Sequence, residues 1–204
     1  VVNDLIFNST PKFTSNGIKN DYKFLIKNIN TDATNSKKYR SKRDSKLASI
    51  FDYSISYPLK KSDNKYVNFL KPMMSFKLSP SRSYGLKESS NKINIDNAFS
   101  LNRIMNNTTI EEGASLTYGT EFTKTNKVNK RAFSAKIANI FRLDESENLP
   151  KNNQLGEKTS NIFGSFDYDA NENFRASYDY ALDSNLADTR FQSLSTEFKI
   201  NNFV

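Results

Sequence analysis

Hydrophobic and polar residues alternate along much of the chain. In the segment IFDYSISYPL, residues 50–59, apolar side chains occupy every second position, at Phe51, Tyr53, Ile55 and Tyr57. Successive side chains of a β-strand point to opposite faces, so this pattern predicts a strand with one apolar and one polar face. The apolar face must contact either a protein core or lipid.

The same alternation recurs along the whole chain and predicts about nine strands, counting a short piece at residues 4–8. No helical stripe of comparable quality is present. The further apolar rows are Tyr22, Phe24 and Ile26; Leu70, Met74, Phe76 and Leu78; Ala114, Leu116, Tyr118 and Phe122; Phe133, Ala135, Ile137 and Phe141; Ile162, Phe166 and Tyr168; Phe174, Ala176, Tyr178, Tyr180 and Leu182; and Leu194, Thr196, Phe198 and Ile200.

The opposite faces of these strands are polar. This polarity suits a watery lumen inside a barrel, and it equally suits the solvated face of a soluble sandwich. The polar positions are Asp52, Ser54, Ser56, Lys71, Ser75, Lys77, Ser115, Thr117, Glu121, Arg175, Ser177 and Asp179.

Short and long links alternate between the predicted strands. Such regularity favours an antiparallel up-and-down sheet with its long loops at one end. The short links lie near residues 9–15, 59–65, 124–130 and 169–172, and the long loops near 30–44, 80–111 and 143–158, with a short link near 184–188 at the same end.

Strand length separates the possible architectures in part. Soluble sandwiches favour strands of roughly 5–6 residues, whereas several strands here reach about ten, as a tilted strand crossing a bilayer requires. Periodicity therefore favours an outer-membrane barrel and leaves a soluble sandwich or an extended β-solenoid open. Pro72 interrupts the row from Leu70 to Leu78, so we expect that strand to carry a bulge or to lie at a sheet edge.

Composition removes several classes of function. The 204 residues carry a net charge of +8 and contain neither cysteine nor histidine. Ser-His or Cys-His catalysis, disulfides and ordinary zinc sites are therefore excluded, and no apolar run is long enough for a membrane helix. The chain starts without Met or a recognisable signal sequence, so we expect it to be an internal piece of a longer protein.

Two stretches stand out in the middle of the chain, NAFSLNRI at residues 97–104 and TIEEGASLTYG at residues 109–119. They resemble the LptD family of outer-membrane lipopolysaccharide-assembly proteins, within a match covering most of residues 20–200. FLKPMMSFKLSP, residues 69–80, and FDYDANENFRASYDYALD, residues 166–183, resemble strand pairs of the family's barrel. The positions matching the family's loop and strand motif are Leu101, Asn102, Arg103, Glu112, Gly113, Tyr118 and Gly119.

This resemblance implies an all-β fold, namely an antiparallel transmembrane β-barrel segment in the cell outer membrane that does not close on its own. Residues 1–204 are then one partial barrel domain without a second domain. The resemblance also implies lipopolysaccharide transport rather than an enzyme, and no cofactor. Its implied partners are lipopolysaccharide, an LptE-like plug lipoprotein and an LptA-like periplasmic bridge.

The resemblance also gives expectations for individual residues. Phe51, Tyr53, Ile55 and Tyr57 would face lipid. We expect Arg103 to pair with a carboxylate or with loop carbonyls inside the lumen, whereas Glu111 and Glu112 have no spacing that indicates catalysis. The cations that would hold lipopolysaccharide phosphates, if they are more than a solvated loop, are Lys37, Lys38, Arg40, Lys42 and Arg43, with Lys46 nearby.

Two other functions remain open from the sequence. A general outer-membrane porin would have the same strand pattern. A soluble basic β-sheet protein that binds nucleic acid would need aromatic and basic residues on one face. Here the aromatic rows and the charged rows occupy opposite faces, so we expect no nucleic acid partner.

Overall fold

The computed structural model describes residues 1–32, 34, 43–83, 86, 92–104, 106, 108–151, 153–171 and 173–200. Within them, eleven strands form one antiparallel sheet. The strands are β1 (Val2–Asn8), β2 (Lys12–Phe13), β3 (Lys19–Thr31), β4 (Asp44–Ser56), β5 (Leu59–Ser62), β6 (Tyr66–Ser79), β7 (Gly113–Asn126), β8 (Ala132–Arg142), β9 (Ile162–Asn171), β10 (Phe174–Leu182) and β11 (Thr189–Phe198).

The sheet order is β1-β3-β4-β6-β7-β8-β9-β10-β11, with β2 paired to β3 and β5 paired to β6. Among the described residues the sheet does not close, and β1 and β11 are its two edges. Since β1 and β2 share one side of β3, and β4 and β5 share one side of β6, the eleven strands occupy nine positions. The all-β, antiparallel and open fold predicted from the sequence is confirmed.

No helix occurs in the described part of the chain that is long and apolar enough to cross a membrane.

The short turns are closed by Asn and Asp side chains. The Asp63 carboxylate accepts the backbone N–H groups of Lys65 at 2.8 Å and Tyr66 at 2.7 Å, and these bonds lower the pKa of Asp63. Asn126 accepts the N–H of Val128 at 2.9 Å. These Asx turns fix the hairpins at one end of the sheet, which we call the short-turn end.

The predicted short links are longer than the observed ones. Residues 59–62 form β5 rather than a turn, although Lys60, Lys61 and Ser62 are polar. A ladder bonds backbone groups, so a strand can continue through polar residues when its neighbour continues beside it. Turn prediction from polarity alone was wrong for these residues.

The bulge or edge position expected at Pro72 is also wrong. Pro72 lies in β6, an interior strand, and the register runs unbroken from the pair Ser56 and Met73 to the pair Leu59 and Leu70. The N–H of Tyr57 donates to the carbonyl oxygen of Pro72 at 3.0 Å. Both backbone groups of one residue point to the same neighbouring strand, so the missing N–H removes one bond to Tyr57 and none to β7.

The two faces of the sheet have different surroundings. One face, which we call the exposed face, carries the apolar rows predicted from the sequence, including Phe51, Phe76, Ile137 and Phe166. The other, which we call the covered face, lies beneath the β6–β7 loop (80–112) and the β8–β9 loop (143–161) over its half nearer these long loops.

The covered face is less exposed to solvent than its polar residues suggested. Asp52, Lys77 and Thr117 are at most 2% exposed because the loops lie over them. Apolar residues share this face where the loops pack. Ile140 and Phe163 are both fully buried in a cluster with loop residues. The loop residues of this cluster are Leu86, Ile93, Ile95, Ala98, Ile104, Leu149 and Leu155.

We predict that Pro72→Ala changes the free energy of unfolding by less than about 1 kcal/mol, because it adds one ladder donor opposite Tyr57 and keeps the register. Phe76→Pro is the matched control, since Phe76 occupies the equivalent hydrogen-bonded position two pairs along the same ladder. Phe76→Pro should lower the free energy of unfolding by several times that amount. Urea unfolding of the full-length protein, followed by circular dichroism, measures both. Equal losses for the two variants would contradict the account of Pro72.

Candidate functional site

Arg103 is the centre of a buried polar cluster beneath the β6–β7 loop. Its side chain is fully buried, and its Nε donates to Glu111 Oε2 at 2.7 Å. Its Nη2 donates to the other carboxylate oxygen of Glu111. The two residues therefore form a two-bond Arg–carboxylate pair, as expected from the sequence for Arg103, in the geometry that gives the strongest charge-assisted hydrogen bonds.

The same guanidinium joins the loop to the sheet. Arg103 Nη1 donates to Thr117 Oγ1 at 2.9 Å, and Nη2 donates to Ser115 Oγ at 2.6 Å. Ser115 and Thr117 are two residues apart on β7, so both hydroxyls point to the covered face. The loop is thereby fixed to β7 by side chains that the strand period places in register.

A second guanidinium reaches Glu111 from β8. Arg142 Nη1 donates to Glu111 Oε1 at 3.1 Å, and Arg142 Nη2 donates to the carbonyl oxygen of Glu112 at 2.6 Å. Burial by itself would raise the pKa of Glu111, but Arg103, Lys77 and Arg142 together hold it below the ordinary value. Glu111 is therefore a carboxylate ionised between two buried arginines.

Lys77 and Asp52 extend the polar row toward β4. Lys77 Nζ donates to the carbonyl oxygen of Ser100 in the loop at 2.5 Å. Asp52 accepts the hydroxyls of Ser54, at 2.9 Å, and Ser75. Buried charges are costly unless they are paired and hydrogen-bonded, and each of these groups has a partner.

Glu112 joins the two long loops. Its Oε2 accepts the backbone N–H of Ser83 at 2.6 Å, at the start of the β6–β7 loop. Its Oε1 accepts bonds from Asn148, at 3.1 Å, and Ser146 in the β8–β9 loop. Partial burial raises the pKa of Glu112, but these hydrogen bonds outweigh that effect and lower it.

Gly113 follows Glu112 and is required by its geometry. Its φ is +81°, a value that disfavours residues with a side chain. A Cβ at this position would lie 2.6 Å from Arg142 Nη2. The glycine lets the chain turn from the loop into β7 while the Arg142 guanidinium lies against its backbone.

The structure brings together only part of the motif that resembles the family. Arg103, Glu112 and Gly113 all lie around Arg142. Leu101 packs against a small buried cluster of Leu25, Ala48, Ile50 and Ile110. The Oδ1 of Asn102 is buried and has no hydrogen-bond partner within the described residues.

Tyr118 and Gly119 lie apart from this cluster. Tyr118 is on the exposed face, where its hydroxyl donates to Asn139 Oδ1 at 3.1 Å. A Cβ at Gly119 would lie 2.4 Å from the carbonyl oxygen of Ile137, so this glycine permits a close approach of β7 and β8.

The basic cluster is described only at its end. Lys37, Lys38, Arg40 and Lys42 lie outside the described residues. Arg43 Nε lies 2.9 Å from Asp32 Oδ2, and both side chains are largely exposed. Exposed ion pairs of this kind contribute little to stability.

The apolar row from Phe51 to Tyr57 lies on the exposed face, with each side chain between 37% and 41% exposed. Its tyrosines and the neighbouring aromatic side chains form a continuous surface, in which the rings of Tyr22 and Phe51 are 6.5 Å apart.

Sequence reasoning missed Arg142 and dismissed Glu111. Arg142 ends β8 on the face opposite the predicted apolar row of that strand, and Glu111 lies eight residues after Arg103. A basic residue at the polar position of a strand end, beside a loop that carries both an arginine and a carboxylate, was the available signal. The distance between β8 and the β6–β7 loop could not be read from the chain.

Comparison with protein families gives a match over nearly the whole chain. The model of the family described as LptD, LPS transport system D, matches residues 7–204. No curated protein matches the chain.

We predict that Glu111→Gln destabilises the protein by about 3–5 kcal/mol at pH 7, because two buried arginines lose their shared carboxylate. Glu121→Gln is the matched control. Glu121 lies on the covered face of β7 and pairs with Lys71 at 3.0 Å, but its side chain is partly exposed. It should cost less than about 1 kcal/mol. Urea unfolding of the full-length protein measures both, and equal losses would contradict the assignment.

The difference between wild type and Glu111→Gln should also depend on pH. The pKa of Glu111 is lower in the folded state, so its contribution is complete above the unfolded pKa of about 4.3 and is lost as the pH falls through the folded pKa. We expect the difference in stability between the two proteins to begin to shrink below about pH 4 and to keep shrinking as the pH falls further. A constant difference across this range would contradict the ionised state of Glu111.

Proposed function

The chain belongs to the LptD family, and from this membership we propose that its sheet is part of the barrel wall along which lipopolysaccharide reaches the outer leaflet. The family places the protein in the outer membrane. Its role is lipopolysaccharide transport and assembly, not catalysis. The observation that carries the proposal is that the sheet has two unlike faces.

The exposed face fits contact with lipid. Phe51, Tyr53, Ile55 and Tyr57 lie on it, and the same rows of the sheet continue across β6 to β10. In a bilayer every backbone group must be hydrogen-bonded within the protein, and an antiparallel ladder continued by further strands provides this. Tyrosines suit the level where the ring meets hydrocarbon and the hydroxyl meets water.

The covered face fits a polar path that is closed at its outer half. Near the long loops its charges are buried beneath residues 92–112 and 143–161. Toward the short-turn end, Ser54, Lys71, Glu121 and Arg175 remain partly or fully accessible. Sugars and phosphates can approach from this side, and they pass the loops only if the bonds of Glu111 and Glu112 open.

Partners follow from the family resemblance. We propose that an LptE-like plug lipoprotein meets the accessible, short-turn half of the covered face, because that half has polar side chains with none of the described loop residues above them. An LptA-like bridge is proposed from the resemblance alone, and we assign no residue of this chain to it.

A general diffusion porin fits the observations less well. A porin needs a water-filled path between its walls, whereas the loops here bury Asp52, Lys77 and Thr117. We therefore retain transport of lipopolysaccharide as the proposed function.

The proposal predicts the orientation of the strands, which cysteine probes can test because the chain has no cysteine. Single cysteines are placed at Ser41, in the first long loop, and at Asn64, in a short turn, of the full-length protein. Asn64 is preferred to Asp63, whose carboxylate closes that turn. A membrane-impermeant thiol reagent should label Ser41→Cys in intact cells and Asn64→Cys only after the outer membrane is permeabilised. Labelling of both positions only after lysis would contradict the proposal.

The basic cluster gives a second prediction. If Lys37, Lys38, Arg40, Lys42 and Arg43 hold lipopolysaccharide phosphates, replacing all five with Ser should raise outer-membrane permeability to a large antibiotic several-fold. The control replaces five cations at or near the short-turn end, Lys12, Lys60, Lys65, Lys130 and Arg131, and loses the same charge. Equal permeability of the two variants would contradict a role for the loop cations in binding.

A further inference from the structure

The exposed face has an apolar groove. It crosses β4, β6, β7 and β8 and has a volume of about 500 Å³. Its walls are almost entirely apolar surface, contributed mainly by Ile55, Tyr57, Met74, Tyr118 and Ile137. The side chains of the neighbouring rows fill the exposed face, whereas this region is indented.

The groove arises from small residues in one cross-strand row. Tyr57, Pro72, Thr120 and Ile137 lie side by side on adjacent strands, since Pro72 pairs with Thr120 and Thr120 pairs with Ile137. Pro72 and Thr120 are short, whereas the residues at both ends of the row are large. The side chains are therefore shortest in the middle of the row, and the backbone of Gly119 forms part of the bottom of the groove.

One wall of the groove is held by buried polar groups. Tyr118 donates its hydroxyl to Asn139 Oδ1 at 3.1 Å, and Asn139 Nδ2 donates to the carbonyl oxygens of Ser160, at 2.9 Å, and Asn161, at 3.2 Å. Asn139 lies on the exposed face but is only 4% exposed. Its amide oxygen thus holds the Tyr118 hydroxyl beside β8.

The opposite wall is Tyr57. Gly17 in the β2–β3 turn lies against its ring, since a Cβ on Gly17 would be 3.5 Å from Cε2 of Tyr57. Ile18 from the same turn also lines the groove. The groove therefore has two positioned aromatic walls and extends from the middle of the strands toward the short-turn end.

Two lysines follow the groove on the same face. Lys61 lies four residues beyond Tyr57, and Lys124 lies four residues beyond Thr120, which places each about 13 Å further toward the short-turn end. Both lysines pair with Asn68, one from each side, so their backbones are two strand spacings or roughly 10 Å apart. Lys124 Nζ lies 4.4 Å from the ring centre of Tyr66, and both lysines are exposed.

We propose that this groove binds one acyl chain of an anionic phospholipid, whose phosphate lies between Lys61 and Lys124. An apolar groove at the middle of the strands suits hydrocarbon, and cations at its short-turn end suit a phosphate at the membrane surface. The short-turn end faces the periplasm in the orientation proposed above, so the lipid belongs to the periplasmic leaflet. The inference rests on that orientation and on the family's place in the outer membrane, not on the transported substrate.

The test uses the purified full-length protein in detergent. Binding of phosphatidylglycerol and of phosphatidylcholine, two phospholipids that differ in net charge, is measured by native mass spectrometry at a series of lipid concentrations. Thr120→Phe fills the groove, and Ala176→Phe adds the same ring elsewhere on the exposed face as its control. Lys61→Ser and Lys124→Ser remove the proposed phosphate contacts, while Lys60→Ser removes a neighbouring charge that points to the other face.

We expect Thr120→Phe to weaken binding of both lipids about tenfold, since a few buried methylene groups lose their contacts. Each of Lys61→Ser and Lys124→Ser should weaken phosphatidylglycerol binding about fivefold and phosphatidylcholine binding less, because the choline cation offsets the phosphate charge of the second lipid. Ala176→Phe and Lys60→Ser should bind as wild type does.

Three results would overturn the inference. One is equal binding by Thr120→Phe and Ala176→Phe. Another is an equal loss of phosphatidylglycerol binding in Lys60→Ser and Lys61→Ser. The third is displacement of phosphatidylglycerol by lipid A at equimolar concentration, which would make a lipid of the other leaflet the occupant. None of these results depends on the cysteine labelling, so failure of the lipid site and failure of the proposed orientation are distinguishable.

Discussion

Two arginines with little access to water share one carboxylate in this structure. Arg103 comes from the β6–β7 loop and Arg142 from the end of β8, and Glu111 hydrogen-bonds to both. A buried guanidinium without a counter-charge is strongly destabilising, so neither arginine can keep its position unless Glu111 lies between them. This one carboxylate therefore fixes where the loop crosses the sheet. Glu112 and Gly113 follow it directly, and they set the path of the second loop and the start of β7.

The apolar contacts of the covered face depend on that placement. Ile140 and Phe163 lie on the covered face of their strands, and without the loops they would be open to solvent. With the loops held by the Arg–Glu cluster, they pack against Leu149, Leu155 and Ile104. The polar cluster orients the loops, and the burial of apolar area supplies much of the free energy that keeps them there.

The exposed face could be predicted from the sequence and the covered face only in part. A period of two placed Phe51, Tyr53, Ile55 and Tyr57 on one side without any knowledge of their neighbours, because strand geometry alone decides it. For Arg103 the sequence predicted a bond either to a carboxylate or to loop carbonyls, and it did not identify Glu111 as the partner. Choosing Glu111 requires the position of a loop relative to β8, which is set by contacts far apart in sequence.

Other failures have the same physical origin. Pro72 was expected to give its strand a bulge or an edge position, but its missing N–H points to Tyr57 alone, and this direction depends on the register between β4 and β6. Residues 59–62 were expected to turn because they are polar, but the neighbouring strand β6 continues beside them. In each case the local sequence gave a preference, and the partner strand decided the outcome.

The energetics of the covered face bear on how a substrate could pass it. Asp52, Lys77 and Thr117, which would line a polar path, are buried by the loops. In the function proposed above, opening that path would separate Glu111 from at least one arginine, and breaking a buried pair costs on the order of 3–5 kcal/mol when the freed charge stays dry. The cost falls if water or a phosphate-bearing group reaches the arginines as they separate, since either replaces the lost carboxylate. An anionic saccharide entering from the short-turn side would therefore favour the opening that it requires, whereas a neutral solute would not.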